Sequence, residues 1–250
     1  MNPTLPDSKS ELQERNSAGK VEAVLFDVGG TLFEDRDDTS DPLRLERLRR
    51  VLPDADSWAT QLLARELEPL AFDESTYTQD TRRAIGTILE RNGVPVEAGL
   101  VERIRAACCM PLPSSGGAPR PGALEALGYV KRKGLKVALV TNVLWRTQAE
   151  VLADWEAYGF TDVDAAVTSL DVGQYKPHPA MFERALREVA VEPARAVMVG
   201  NSRKADIAPS KKLGMRAVLV RSRETTTSDA QPDAVIDELT ELPAVLERWL

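Results

Sequence analysis

One short apolar run, VEAVLFDV at 21–28, stands apart from every other strand-like segment of the chain. It closes on Asp27, with Gly29 and Gly30 just behind, and so predicts a buried strand running into a loop. The pattern then changes. Leu43, Leu45, Leu48, Val51 and Leu52 recur at helical spacing, as do Leu62, Leu63, Leu67 and Leu70, then Ala84, Ile85, Ile88 and Leu89, then Val101, Ile104 and Ala107. β-Branched runs are absent there, so Leu43 to Met110 predicts an all-helical block of four helices. PLPSSGGAPRPG at 111–122 ends it as a linker.

Strand and helix signals alternate from there on. Strands are expected at 136–140, 163–167, 196–199, 217–220 and 234–236. Helices are expected at 123–133, 146–158, 180–190, 205–213 and 243–250, with Gly134, Gly159 and Gly214 as C-terminal stops. Such alternation argues for an α/β fold with a parallel sheet covered on both faces. A lone first strand ahead of a helical block places that block as an insertion. The expected division is a loose tail at 1–20, an α/β core of 21–34 plus 120–250, and a helical cap at 35–119. Two polar connections, 34–41 and 111–122, would let the cap hinge over the sheet's C-terminal edge.

Composition narrows the function class. Of the 250 residues, 43% are hydrophobic and 28% charged, which suits a globular protein with a real core. A net charge of −7 argues against nucleic acid as a partner, because phosphate backbones need a basic surface. No run approaches the ~20 apolar residues of a membrane span, and the first twenty residues lack the apolar stretch of a signal peptide. Cys108 and Cys109 are neighbours, too strained to pair and too few for a structural zinc. A cytoplasmic setting is expected.

Ligands of open parallel sheets bind beyond the carboxyl ends of the strands. Polar residues there are Asp27, Thr31, Thr141, Asn142, Lys176, Asn201 and, just behind, Asp206. A carboxylate can attack an electrophile and form a covalent intermediate, while Thr and Lys can hold phosphoryl oxygens. Carboxylate and amide oxygens suit a hard cation such as Mg²⁺. Any one of these residues alone reads as a turn, a helix cap or a surface charge; in order, each at a strand end, they form a constellation. His178, the only histidine, lies between Pro177 and Pro179 and is read as a loop constituent.

FDVGGTLF at 26–33, VTN at 140–142, GQYKPHPAMF at 173–182 and VGNSRKADI at 199–207 resemble, in order, the four motifs of the haloacid dehalogenase-like (HAD) hydrolases. The resemblance runs from Val21 to the C-terminus and includes a helical block between the first and second motifs. It implies a Rossmann-like sheet with Asp27 as nucleophile and Mg²⁺ ligand, together with the carbonyl of Gly29. It places Gly30, Thr141 and Asn142 at the transferring group and Lys176 as the neutralising cation. Asn201 and Asp206 fall at the acidic metal positions. The partner implied is a small phosphorylated metabolite, hydrolysed through an aspartyl-phosphate.

Two positions depart from the pattern. The second aspartate of the first motif, a general acid and base in the family's phosphatases, is Gly29 here, and a metal-ligand aspartate of the fourth is Asn201. Losing one acid–base group typically costs about 10²–10⁴ in rate. The departures leave two other readings open: a metal-independent, dehalogenase-like hydrolase, and a non-catalytic or regulatory protein on the same fold. Arg36, Arg44, Arg47, Arg82 and Arg83 are the cap cations that an anionic substrate would meet, or else ordinary surface charge.

Overall fold

The computed structural model describes residues 19–34, 42–52, 67–114, 116–222 and 228–250. The expected tail, the 35–41 connection and the Leu62–Leu63 part of the helical pattern lie mainly or wholly outside them. Six parallel strands form one sheet. They are β1 (Ala23–Phe26), β4 (Lys136–Thr141), β5 (Ala165–Thr168), β6 (Ala196–Gly200), β7 (Arg216–Val220) and β8 (Ala234–Ile236), in the order β5-β4-β1-β6-β7-β8. The isolated first strand is thus central, paired to β4 through Phe26–Leu139 and to β6 through Phe26–Val199. The chain builds outward to β5 on one side, then restarts at β6 on the other. That reversal beside β1 opens a crevice at the carboxyl ends of the strands.

Alternate residues of each strand face opposite ways, and both faces are covered. Val24, Phe26, Leu139, Val197 and Val199 pack with Ala126 and Leu127 of α5 (Ala123–Arg132), Val151 and Trp155 of α6 (Gln148–Ala157), and Val245 of α10 (Leu242–Leu246). Ala23, Leu25, Ala138, Val140 and Met198 pack on the other face with Met181, Phe182, Ala185 and Leu186 of α8 (Pro179–Val189). Burying a large side chain of this kind is worth about 1.5–3 kcal/mol, so α8's apolar stripe fixes it to the sheet. Strands apolar on both faces are what a doubly covered parallel sheet demands.

The inserted segment has its own apolar cluster. Helices α1 (Pro42–Val51), α2 (Leu67–Ala71), α3 (Thr81–Arg91) and α4 (Ala98–Cys108) gather Leu48, Leu67, Ile85, Ile88, Leu89, Ile104 and Cys108. Trp145, from the loop after β4, is buried in that cluster as well. The insertion is helical, as its periodicity predicts, with one addition. A two-stranded antiparallel ladder, β2 (Phe72–Asp73) and β3 (Thr78–Gln79), sits between α2 and α3. Two-residue strands are too short to leave an alternating pattern in a sequence.

Two further differences have local causes. The helix expected at 205–213 begins instead as a wide turn at Arg203–Ile207 and becomes regular in α9 (Ala208–Lys212), where Pro209 is in the first turn. The 111–122 linker is tied to the core rather than loose. The Asp154 carboxylate of α6 accepts from the Leu112 N–H at 2.9 Å, Arg146 pairs with Asp154 at 3.0 Å and also donates to the Met110 carbonyl, and Tyr158 donates to the Gly117 carbonyl.

Candidate active site

Asp27 follows β1 directly, and its N–H extends the ladder to Val199 of β6 at 2.9 Å. The turn behind it is tight: Leu32 and Phe33 both donate to the Val28 carbonyl at 2.9 Å, and Gly30 sits at φ 72, where a side chain would be strained. Phe33 bridges to Pro119, and the Arg120 N–H donates to the Leu32 carbonyl at 2.8 Å. The Arg120 guanidinium caps the Gly30 carbonyl. The Asp27 loop is therefore braced by the residues that return the chain from the insertion.

Around Asp27, side chains that follow β1, β5 and β6 converge. The Lys176 ammonium lies 2.6 Å from Asp27 Oδ1 and 2.7 Å from Asp206 Oδ1. The Thr31 hydroxyl donates to Asp27 Oδ2 at 2.8 Å and lies 3.3 Å from Asn201 Oδ1. Asp27, Thr31, Thr141, Lys176, Asn201 and Asp206 are all buried. Asp206 Oδ2 accepts from the Ser202 N–H at 3.0 Å, which uses its second oxygen. Gly200 lets that carboxylate in, since a Cβ there would lie 2.4 Å from Asp206 Cγ. Ser202, not Asp206, caps the turn that follows, accepting from the Ala205 N–H at 3.1 Å. Asn142 is adjacent to Thr141, and its side chain meets the main chain of Lys176. Gly29 is exposed and Gly30 buried.

Charge balance explains how these groups coexist. Burial works to lower Lys176, but the carboxylates of Asp206 and Asp27 outweigh it and hold the ammonium charged. Burial pushes Asp206 up to about 6, helped by the Asp27 carboxylate and opposed by Lys176. A lone buried carboxylate pair would repel; the lysine between them makes the pair tenable.

Other expectations resolve differently. His178 caps α8: its Nδ1 accepts from the Ala180 N–H at 3.2 Å. Of the cap arginines, Arg44 is buried and donates to the Cys108 carbonyl at 2.7 Å, and Arg47 donates to Cys109 and Ala106 carbonyls. Arg82 pairs with Glu102 and Arg83 with Asp80, while Arg36 lies outside the described residues. Sequence reasoning missed Arg120 and Gln79. Arg120 sits in a linker whose pattern signals only flexibility, and Gln79 is a buried polar residue in the short β3. Neither role has a motif; both arise where distant loops meet.

The profile of haloacid dehalogenase-like hydrolases matches residues 21–214. The chain belongs to this family. It is 29% identical over 239 residues to a glyceraldehyde 3-phosphate phosphatase of Methanothermobacter thermautotrophicus, covering 90% of this chain and 100% of that protein. It is 35% identical over 132 residues to a ribulose-1,5-bisphosphate 5-phosphatase of Halopiger xanaduensis, covering 49% of this chain and 54% of that one. In fold it resembles a 2-haloacid dehalogenase from Pseudomonas syringae, with a TM-score of 0.64 at 24% identity over 92% of this chain and 100% of the other. Membership makes the protein a HAD-like hydrolase on the fold described above.

Proposed function

We propose that this HAD-like hydrolase is a Mg²⁺-dependent phosphatase of a small phosphorylated metabolite, with Asp27 as its nucleophile and the cytoplasm as its setting. The carrying observation is the Asp27–Lys176–Asp206 bridge at 2.6 and 2.7 Å. It presents a carboxylate at the sheet's switch point with its charge balanced and its direction fixed by Thr31. The phosphatase names of relatives that match most of the chain favour phosphorus over carbon as the atom attacked.

In this reading an Asp27 oxygen attacks phosphorus, an aspartyl-phosphate forms, and the P–O bond to the leaving oxygen breaks. Water then attacks the same phosphorus, releasing phosphate and restoring the carboxylate. Lys176 steadies charge on the equatorial oxygens, Thr141 and the Asn142 main chain hold them, and Gly30 leaves room for them. The leaving oxygen must take its proton from a water or a cap residue, since Gly29 supplies none. Esters with acidic leaving groups suffer least from that gap.

The donor set fits a hard cation. Asn201 Oδ1 lies beside the Thr31 hydroxyl that already serves Asp27, so oxygens of both residues face one space. Asp27, the Gly29 carbonyl, Asn201 and Asp206 would hold Mg²⁺, and Asp206 also anchors the lysine beside Asp27. The cation would supply further charge stabilisation at the phosphoryl oxygens. Residues 21–34 and 120–250 form the catalytic core in this proposal, and 35–119 the cap that covers it.

The test is a screen of phosphorylated metabolites with and without Mg²⁺, beside an Asp27→Asn control. Release of phosphate that needs both Mg²⁺ and Asp27 supports the reading. Hydrolysis of halogenated acids without metal, or no hydrolysis at all, would replace it with the dehalogenase-like or the non-catalytic alternative.

A further inference from the structure

Lys176 is a long, flexible side chain asked to hold one nitrogen between two carboxylates. Its rotamer freedom is worth about 2 kcal/mol, so its Cα must be fixed before its Nζ can be. The fixing group comes from a different strand. Asn142, at the end of β4, donates through Nδ2 to the Lys176 carbonyl at 3.0 Å and accepts at Oδ1 from the Lys176 N–H at 2.8 Å. An amide alone among small side chains offers one donor and one acceptor side by side, matched here to the two main-chain groups of a single residue.

The same junction is reached from the insertion. Gln79 of β3 is buried and donates through Nε2 to the carbonyl of Val143, the residue after Asn142, at 2.8 Å. Its main-chain N–H donates to Gly173 at 2.9 Å, and Tyr175 donates to the Tyr77 carbonyl at 3.0 Å. Tyr77 takes a left-handed φ of 52 to turn the hairpin there, and the Tyr175 ring sits edge-on to both Phe72 and Tyr77. Gln79 Oε1 is buried and finds no partner among the described residues. An unmet buried acceptor costs about 1–3 kcal/mol, which the side chain offsets through Nε2, bonded to Val143 and, at 3.0 Å, to the Thr81 hydroxyl.

We infer that Asn142 and Gln79 are positioning residues for Lys176: Asn142 grips the lysine's main chain, and Gln79 braces the Asn142–Val143 turn from the docked insertion. The active-site cation is then set in place by the cap as well as by the sheet. This builds on the phosphatase reading for its catalytic consequence but not for its geometry.

The test reads the lysine directly. Native protein is acetylated with a succinimidyl ester without substrate, and the rate at Lys176 is followed by peptide mass spectrometry against exposed Lys204. In the wild type Lys176 is protected. Asn142→Ala should raise its rate by about tenfold or more, Gln79→Ala by less, and the double variant no further than Asn142→Ala, as residues acting as one unit are non-additive. If Asn142→Ala misfolds, the isosteric Asn142→Asp, which keeps the acceptor for the Lys176 N–H and loses the donor to its carbonyl, gives an intermediate rate. On a substrate found by the screen, kcat should fall about ten- to a hundredfold in Asn142→Ala with KM within about twofold, the mark of a displaced catalytic group. Lys176 as protected in the folded Asn142 variants as in the wild type overturns the inference, whatever the protein hydrolyses. Unchanged protection in Gln79→Ala overturns the part played by the insertion. Released Lys176 in a protein that hydrolyses nothing removes the phosphatase reading and leaves the positioning intact.

Discussion

Gly29 sits exposed in the turn after Asp27, and its backbone is not left-handed, so a side chain there brings no backbone strain. Gly29→Asp should raise turnover of alkyl phosphate esters by up to roughly 10²-fold, because an alkoxide needs a proton to leave. Aryl or acyl phosphates should gain much less in the first step, and comparing the two ester classes tests the mechanism apart from stability. No gain on any alkyl ester would show that the site lacks more than its acid. Asn201→Asp should tighten Mg²⁺, since it restores a carboxylate among the oxygens near Asp27; calorimetric titration of both proteins reads it, and equal affinities would remove Asn201 from the ligand set. At this scale the sequence was most legible where chemistry is local. Asp27 and Thr141 stand at the ends of β1 and β4, and Lys176 and Asp206 lie in the segments that follow β5 and β6, so one topological rule collects them. Arg120, Asn142's side chain and Gln79 act through main-chain groups far along the chain, and no spacing announces such a pairing.

Among the elements, α4 and α6 are joined by a buried link between insertion and core. Arg105 of α4 is buried, reaches the Trp145 carbonyl, and pairs with Glu150 at 2.8 Å and Glu102 at 2.6 Å. Glu150 closes a capping box with Thr147 at the start of α6, so one carboxylate both starts a helix and holds the insertion. Arg105→Met should cost about 3 kcal/mol, the low end for breaking a buried pair, because Glu150 keeps some solvent. Urea unfolding measures it, and a loss under about 1 kcal/mol would reduce the pair to a surface contact. Glu150 is held below the usual carboxylate range: burial works to raise it, and hydrogen bonds from Arg105 and Thr147 outweigh burial. A lowered carboxylate contributes stability above its unfolded pKa and loses it as pH falls through the folded one, so this anchor weakens only on acidification below about pH 4. The box is a local pair, Thr147 and Glu150, whereas the arginine that completes it lies 45 positions from Glu150 in the sequence.

The whole molecule is a parallel sheet whose central strand is its first, and whose inserted segment returns through Pro119 and Arg120 to brace the turn that holds Asp27. That plan was readable from one lone strand, a helical stretch and alternating signals behind it, because each is a long-period pattern. The docking of the hairpin was not, since it rests on a few main-chain hydrogen bonds between loops. No helix among the described residues is long and apolar enough to cross a membrane. The central claim is that Asp27 carries the phosphoryl group, and trapping it tests the claim most directly. Protein turning over a substrate with Mg²⁺ is quenched in acid and treated with borohydride, which reduces an aspartyl-phosphate to homoserine. The account predicts homoserine at position 27 in the wild type and none in Asp27→Asn, which folds but does not turn over. Steady phosphate release with an unmodified Asp27, or undiminished release by the folded Asp27→Asn protein, would contradict it.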